Sequence, residues 1–233
     1  MASNPNTSVE FGLFDREADT ALSHRFLPHW FQPNVATFIT FRTTDSLPRS
    51  ALELWHREQV DWLRRLGLDE GAASDPARLT KLPPQKQLEF RQLRDRAWHH
   101  HLDRGHGACP LANPVLAKVV AEALTHFDGD RYDLDSFIVM PNHVHVLVQF
   151  RPTTSMRKQM TSWLRYSATQ INRAVGTHGS FWQSEPFDHL VRSVDQFAYL
   201  QRYIANNGKR ANLPASNYLY WSRLPNVPRH SVP

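Results

Sequence analysis

Residues 139–148 read VMPNHVHVLV. A Pro-Asn pair interrupts an apolar run, and two histidines follow at alternate positions. Pro-Asn between two runs rich in β-branched and aromatic residues is a turn signal. It divides YDLDSFIVM (132–140) from HVHVLVQF (143–150), which predicts a β-hairpin. Strand side chains alternate between faces, so His143 and His145 share one face, about 6–7 Å apart along the strand. Val144, Val146 and Val148 share the other face, the natural one to meet helices and a core. The reading therefore expects the histidines on the open side of the sheet.

Working outward, NVATFITFR (34–42) predicts a first strand, and residues 43–48 a turn. Ser50 can cap a helix in which Leu52, Trp55, Val60, Leu63 and Leu66 recur near helical spacing. A second helix is expected from about Pro84 to Leu102, so residues 50–105 form a helical insertion. His99, His100 and His101 fall there, with His106 nearby. Three consecutive helical side chains diverge and cannot converge on one ion, so they read as surface residues.

Pro114 at a first helical position starts the next helix, running to about Phe127. A long helix from about Thr154 to Val175 follows the hairpin, with Gly176 as its stop. SEPFDHLVR (184–192) predicts a short strand. Asp195 is expected to cap a last helix from Gln196 to about Asn207, ended by Gly208. Residues 1–33 read as an irregular arm docked by Trp30 and Phe31, and 211–233 as a Pro- and Asn-rich tail.

Set apart from the insertion, the order strand, helix, strand, strand, helix, strand is that of a split βαβ unit. The fold class is α+β, one domain over 1–233, with a ferredoxin-like antiparallel sheet and helices packed on one face.

Composition narrows the function classes. The 233 residues are 41% hydrophobic and 21% charged, the profile of a folded chain. A single cysteine, Cys109, excludes an internal disulfide and fits a reducing compartment. No signal-peptide pattern or membrane-length apolar run stands out, so a cytoplasmic, nucleoid-associated protein with no membrane partner is expected. Residues 1–150 hold 16 Lys+Arg against 19 Asp+Glu, a net of −3; residues 151–233 hold 11 against 3, a net of +8. A basic final third suits a polyanion, although charge alone leaves an ordinary basic protein equally open.

On spacing alone, two solvated histidines are the commoner outcome. The last predicted helix supplies what a site would need. Tyr199, Tyr203 and Asn207 are spaced i, i+4, i+8 and lie along one face. An Asn207 amide oxygen could complete a His-His-Asn metal site beside a Tyr203 phenol able to attack phosphorus. Taken singly, Tyr203 as a core tyrosine and Asn207 as a helix-end residue are the plainer readings.

Taken together, these residues resemble a known family. PNHVHVLV resembles the His-hydrophobe-His motif of HUH nucleases, and YIANN (203–207) resembles the Tyr-Ile-x-x-Asn signature of single-tyrosine HUH transposases. ITFRTTDSLP, the hairpin, FWQSEPFDHLVR and FAYLQRYIANNGKRANL resemble the corresponding pieces of REP-associated tyrosine transposases, over about residues 26–213 with the insertion weaker. The resemblance implies an HUH endonuclease fold, His143, His145 and Asn207 as ligands of Mg²⁺ or Mn²⁺, and Tyr203 as nucleophile. The implied substrate is single-stranded DNA beside a hairpin, joined through a 5′-phosphotyrosine bond. It leaves both a monomer and a homodimer open.

Tyr199 and Tyr203 also form Tyr-x-x-x-Tyr, the pattern of two-tyrosine relatives, but the Tyr-Ile-x-x-Asn match favours Tyr203. Arg42, Arg165, Arg192, Arg202, Lys209 and Arg210 are candidate DNA contacts, with Arg151, Arg157 and Lys158 behind them. Trp163, Tyr166 and Trp182 could stack on bases. The competing functions are a hairpin-binding protein without cleavage and a structural metal module. The intact His, His, Tyr, Asn set argues against the first, and the basic C-terminal charge against the second.

Overall fold

The computed structural model describes residues 9–24, 28–46, 49–74, 76–79, 81–90, 93, 107–184 and 186–223. Strands β1 (Ala21–His24) and β2 (Pro28–Phe31) pair as a separate ribbon. The main sheet is built from β3 (Ala36–Arg42), β4 (Tyr132–Val139), β5 (His143–Phe150), β6 (Phe187–Leu190) and β7 (Leu219–Ser222). Its order is β6-β3-β5-β4-β7, every neighbour antiparallel. Without β7, this is the 4-1-3-2 order of the split βαβ unit, the ferredoxin-like sheet that the sequence predicts.

The helices are α1 (Arg49–Arg64), α2 (Pro76–Leu79), α3 (Pro114–Thr125), α4 (Met156–Val175) and α5 (Val194–Arg210). Asn113 caps α3 by accepting from the Val115 amide at 2.9 Å, with Pro114 at the first helical position. Gly176, at φ 70°, ends α4 as expected. None of the described helices is long and apolar enough to cross a membrane.

One face of the sheet is a dry apolar layer. Val144, Val146 and Val148 meet Leu116, Val120 and Leu124 of α3 and Met160 and Trp163 of α4. Tyr132 closes that layer without stranding its hydroxyl: it donates to the Leu124 carbonyl at 2.6 Å and accepts from Trp163 Nε1 at 3.0 Å.

Here the expectation of helices on one face fails. α5 covers the opposite face, setting Leu200 and Ile204 against Phe38, Ile138 and Leu147. The apolar residues interleaved with the histidines on that face must also be buried, and α5 is amphipathic enough to do it.

Other expectations change in detail. Ser193, not Asp195, caps α5, accepting from the Gln196 amide at 3.1 Å; Asp195 lies in the first turn. Gly208 does not end the helix, which continues to Arg210; a Cβ there would lie 2.4 Å from the Tyr218 ring, so glycine permits close packing. Ser50 lies inside the first turn of α1, which starts at Arg49. Within the insertion, residues 84–90 are helical, and Leu63, Ala72 and Phe90 bury a small core of their own. His99, His100, His101 and His106 lie outside the described residues.

The N-terminal arm is partly regular, containing β1 and β2. Phe31 packs edge-on to Phe150 and Phe11 against Phe197, whereas Trp30 is 40% exposed and does not dock the arm. The tail is also partly ordered: β7 extends the sheet beside β4, and Arg223 bonds the Leu134 carbonyl at 2.7 Å and the Asp128 carboxylate at 2.5 Å.

Candidate active site

His143 and His145 occupy alternate positions of β5, as predicted, but their face is not open. They are 1% and 0% exposed, with ring centroids 4.7 Å apart. The cover is α5, whose buried stripe includes Tyr203 and Asn207. The hairpin and the last helix thus bring Tyr203 onto His145, with Asn207 buried one turn further along the same helix.

Each histidine is held by a neighbour on its Nδ1 side. Asn142 Oδ1 lies 2.7 Å from His143 Nδ1, and Thr40 Oγ1 lies 2.8 Å from His145 Nδ1. Thr40 is the register partner of His145 across β3 and β5, so sheet pairing itself aims the hydroxyl. Asn142 is fixed through its backbone carbonyl, which accepts from the Thr43 amide at 2.9 Å.

On the Nε2 side of His145 stands Tyr203, its phenol oxygen 3.3 Å away and its ring centroid 5.2 Å away. Tyr203 is 6% exposed. Tyr199 stacks on it one turn earlier, centroids 6.2 Å apart and planes 24° from parallel. Tyr199 is 55% exposed, so the two phenols have different surroundings. The Arg210 guanidinium sits 5.2 Å over the Tyr203 ring, a cation–π arrangement.

Asn207 lies one turn beyond Tyr203 and is fully buried. Neither its Oδ1 nor its Nδ2 has a hydrogen-bond partner. A buried amide left in that state destabilises the fold by about 1–3 kcal/mol per unsatisfied group. Such a group in a native core calls for an explanation, and a bound ion is one. Among the described residues, no cluster of three or more His, Cys, Asp or Glu could hold a metal. A site here therefore needs the amide, and two imidazoles with an amide oxygen form a donor set that suits Mn²⁺ and tolerates Mg²⁺.

The candidate DNA contacts separate by position. Arg42 is the register partner of His143 and is buried; burial pushes its pKa down to about 10, and it donates to Ser46 Oγ at 3.3 Å. Arg202, Lys209 and Arg210 are exposed on α5, and Arg192 is exposed just before it, 5.7 Å over the Phe14 ring. Arg165 is exposed on α4, across the sheet from Tyr203, so the fold does not bring it to this site. Trp163 and Trp182 are buried in the valine-face core, which removes them as base-stacking surfaces; Tyr166 is half exposed on α4.

Sequence reading passed over three residues that shape the site. Asn142 read only as a turn residue, and Thr40 only as a strand residue. Asp135 sits in a β-bulge of β4 and accepts from Gln201 Nε2 of α5 and from Ser136 Oγ, both at 2.7 Å. That bulge turns a carboxylate toward α5 and pins the helix beside Tyr203. The available signal was polarity out of phase, an acid at each of 133 and 135 in an otherwise apolar strand.

Among solved structures, the chain is similar to a REP-associated tyrosine transposase bound to a REP hairpin, at 13% identity over 81% of this chain and 73% of that one, TM-score 0.40. It is also similar to a protein described only as a candidate transposase from Deinococcus radiodurans R1, at 15% identity over 74% and 90%, TM-score 0.29. The chain has no match among curated proteins. Residues 113–207 match the family model described as "Transposase IS200 like". That span runs from the cap of α3 through both histidines and Tyr203 to Asn207.

Proposed function

We propose that the protein is a metal-dependent single-stranded DNA endonuclease and strand transferase of the REP-associated tyrosine type. The observation that carries this reading is the pairing of the Tyr203 phenol with His145, beside a buried Asn207 amide without a hydrogen-bond partner. His143, His145 and Asn207 would hold Mg²⁺ or Mn²⁺. When bound, the ion polarises a non-bridging phosphate oxygen and orients the scissile bond.

The remaining steps belong to the chain. A phenol is a poor nucleophile at neutral pH, so its placement matters. Tyr203 forms a bond from its oxygen to phosphorus and releases its proton. The P–O3′ bond breaks, and the 3′ oxygen takes up a proton as a hydroxyl. The 5′ phosphate stays on Tyr203 as a covalent intermediate. A 3′-hydroxyl from another strand can reverse the step, so joining needs no ATP. Arg210 beside the Tyr203 ring, with Arg202, Lys209 and Arg192 on the same side of the molecule, would take the neighbouring phosphates. Arg42 would act from within the sheet. The similar transposase solved with a REP hairpin makes hairpin-flanked single strands the first substrates to try.

The test is a gel assay with labelled single-stranded hairpins, in Mn²⁺ or EDTA, comparing wild type with Tyr203→Phe. A metal-dependent covalent protein–DNA band that Tyr203→Phe abolishes is expected. An undiminished band in Tyr203→Phe would move the nucleophile to Tyr199 or elsewhere. Hairpin binding without cleavage in either metal would make this a binding protein.

A further inference from the structure

We propose that Asn142 and Thr40 are positioning residues that hold His143 and His145 in the Nδ1–H tautomer, so that Nε2 carries the lone pair in each ring and, at His145, faces the Tyr203 phenol. The ligand part of this inference rests on the reading above; the tautomer part stands on its own geometry.

Neutral imidazole carries one proton on either nitrogen, and the hydrogen bond at one nitrogen decides the state of the other. At His143 the partner is a carboxamide oxygen at 2.7 Å, which can only accept. The proton therefore sits on Nδ1, and Nε2 carries the lone pair. At His145 the partner is the Thr40 hydroxyl at 2.8 Å, which can take either role. It takes the acceptor role when Nε2 accepts from the Tyr203 phenol, 3.3 Å away. Both rings then carry the lone pair on the same nitrogen, Nε2. An imidazole free in water favours the other tautomer, so the arrangement must be imposed.

The two positioning groups come from different elements, and each is buried. Thr40 is held by register pairing of β3 with β5, and Asn142 by the Thr43 amide on its backbone carbonyl. The Asn142 bond at His143 does not involve α5, whereas the assignment at His145 also uses the Tyr203 phenol of that helix. Groups that orient metal-bound histidines in this way typically change metal affinity about 10–100-fold when removed.

The experiment uses the full metal-free chain with ¹⁵N-labelled histidine at about pH 8, above the ordinary imidazole range. Two-bond ¹⁵N–¹H correlations report which nitrogen carries each proton. Mn²⁺ affinity is measured in parallel from the free-ion EPR signal. Wild type should show Nδ1–H at both rings. Asn142→Ala should release the His143 tautomer and weaken Mn²⁺ binding about 10–100-fold. Asn142→Asp, which keeps an acceptor oxygen, should stay within a few-fold of wild type. Thr40→Val and Thr40→Ser should form the same contrast at His145. Nε2–H at His143 in wild type, or unchanged Mn²⁺ affinity in Asn142→Ala, would overturn the proposal. Wild type that shows both Nδ1–H tautomers yet binds no Mn²⁺ would sink the metal reading and keep the tautomer assignment. If an alanine or valine variant fails to fold, the wild-type spectrum and the conservative pair still decide.

Discussion

The two faces of β5 are built from alternate residues of one strand and do opposite work. Val144, Val146 and Val148 face a layer whose buried Tyr132 hydroxyl and Trp163 indole N–H are both bonded. His143 and His145 face a second buried layer that contains a phenol and an amide with no hydrogen-bond partner. Burial is nearly complete on both sides, so burial alone does not tell a core from a site. The difference lies in whether the buried polar atoms are satisfied. The valine face stabilises the fold; the histidine face holds a buried amide whose atoms are unsatisfied, a state that a bound ion would explain.

The largest expected effect breaks this symmetry with two neighbouring substitutions. His145→Ala should weaken Mn²⁺ binding more than ~100-fold, beyond what loss of an orienting group does. Val146→Ala should leave Mn²⁺ affinity within a few-fold and lower stability by about 2–3 kcal/mol through cavity formation. Calorimetric Mn²⁺ titrations and urea melts on both variants read the contrast directly. Equal losses of affinity would mean that the two faces are one cooperative core.

A middle-sized effect sharpens the comparison by turning the polar face apolar. Asn207→Leu should raise the stability of the metal-free protein by about 1–3 kcal/mol, because it removes an amide whose buried atoms are unsatisfied. It should also remove Mn²⁺ binding and cleavage. A destabilised Asn207→Leu would show that the amide has a structural partner and would weaken its candidacy as a ligand.

The smallest effect concerns the clamp beneath α5. Burial raises the Asp135 pKa above the ordinary 3.8, partly offset by hydrogen bonds from Ser136 and Gln201 and by Arg223. The folded state therefore holds the Asp135 proton more tightly than the unfolded chain does. Relative to Asp135→Asn, wild type should be at its best at the acid end, lose stability as pH rises through the raised pKa, and level off above it. Urea melts across that window measure the difference; a flat profile would remove the charge as the reason.

The comparison also explains what was legible in the sequence. Period-two alternation in HVHVLV placed the histidines and valines on opposite faces, and Pro-Asn located the hairpin turn. The spacing of Tyr203 and Asn207 set them on one helix stripe. What pattern could not supply was the partner of each face. A strand with histidines on one side resembles a half-solvated strand until the helix that covers it is known, and α5 lies 44 residues past Phe150 in the chain. Capping failed for a related reason: Ser193 and Asp195 are both competent caps, and local chemistry does not rank them. Arg165 and the tryptophans were assigned by residue type, and only the fold reveals which side of the sheet they occupy.

The β7 strand adds a mechanical point. α5 leaves the sheet from the β6 edge, and the chain after it re-enters at the far edge, through the pairs Ser136↔Ser222 to Val139↔Leu219. Helix α5 is thus a crossbar bolted at both ends to its own molecule. Handing it to a second copy would require unzipping that edge ladder as well as lifting the helix.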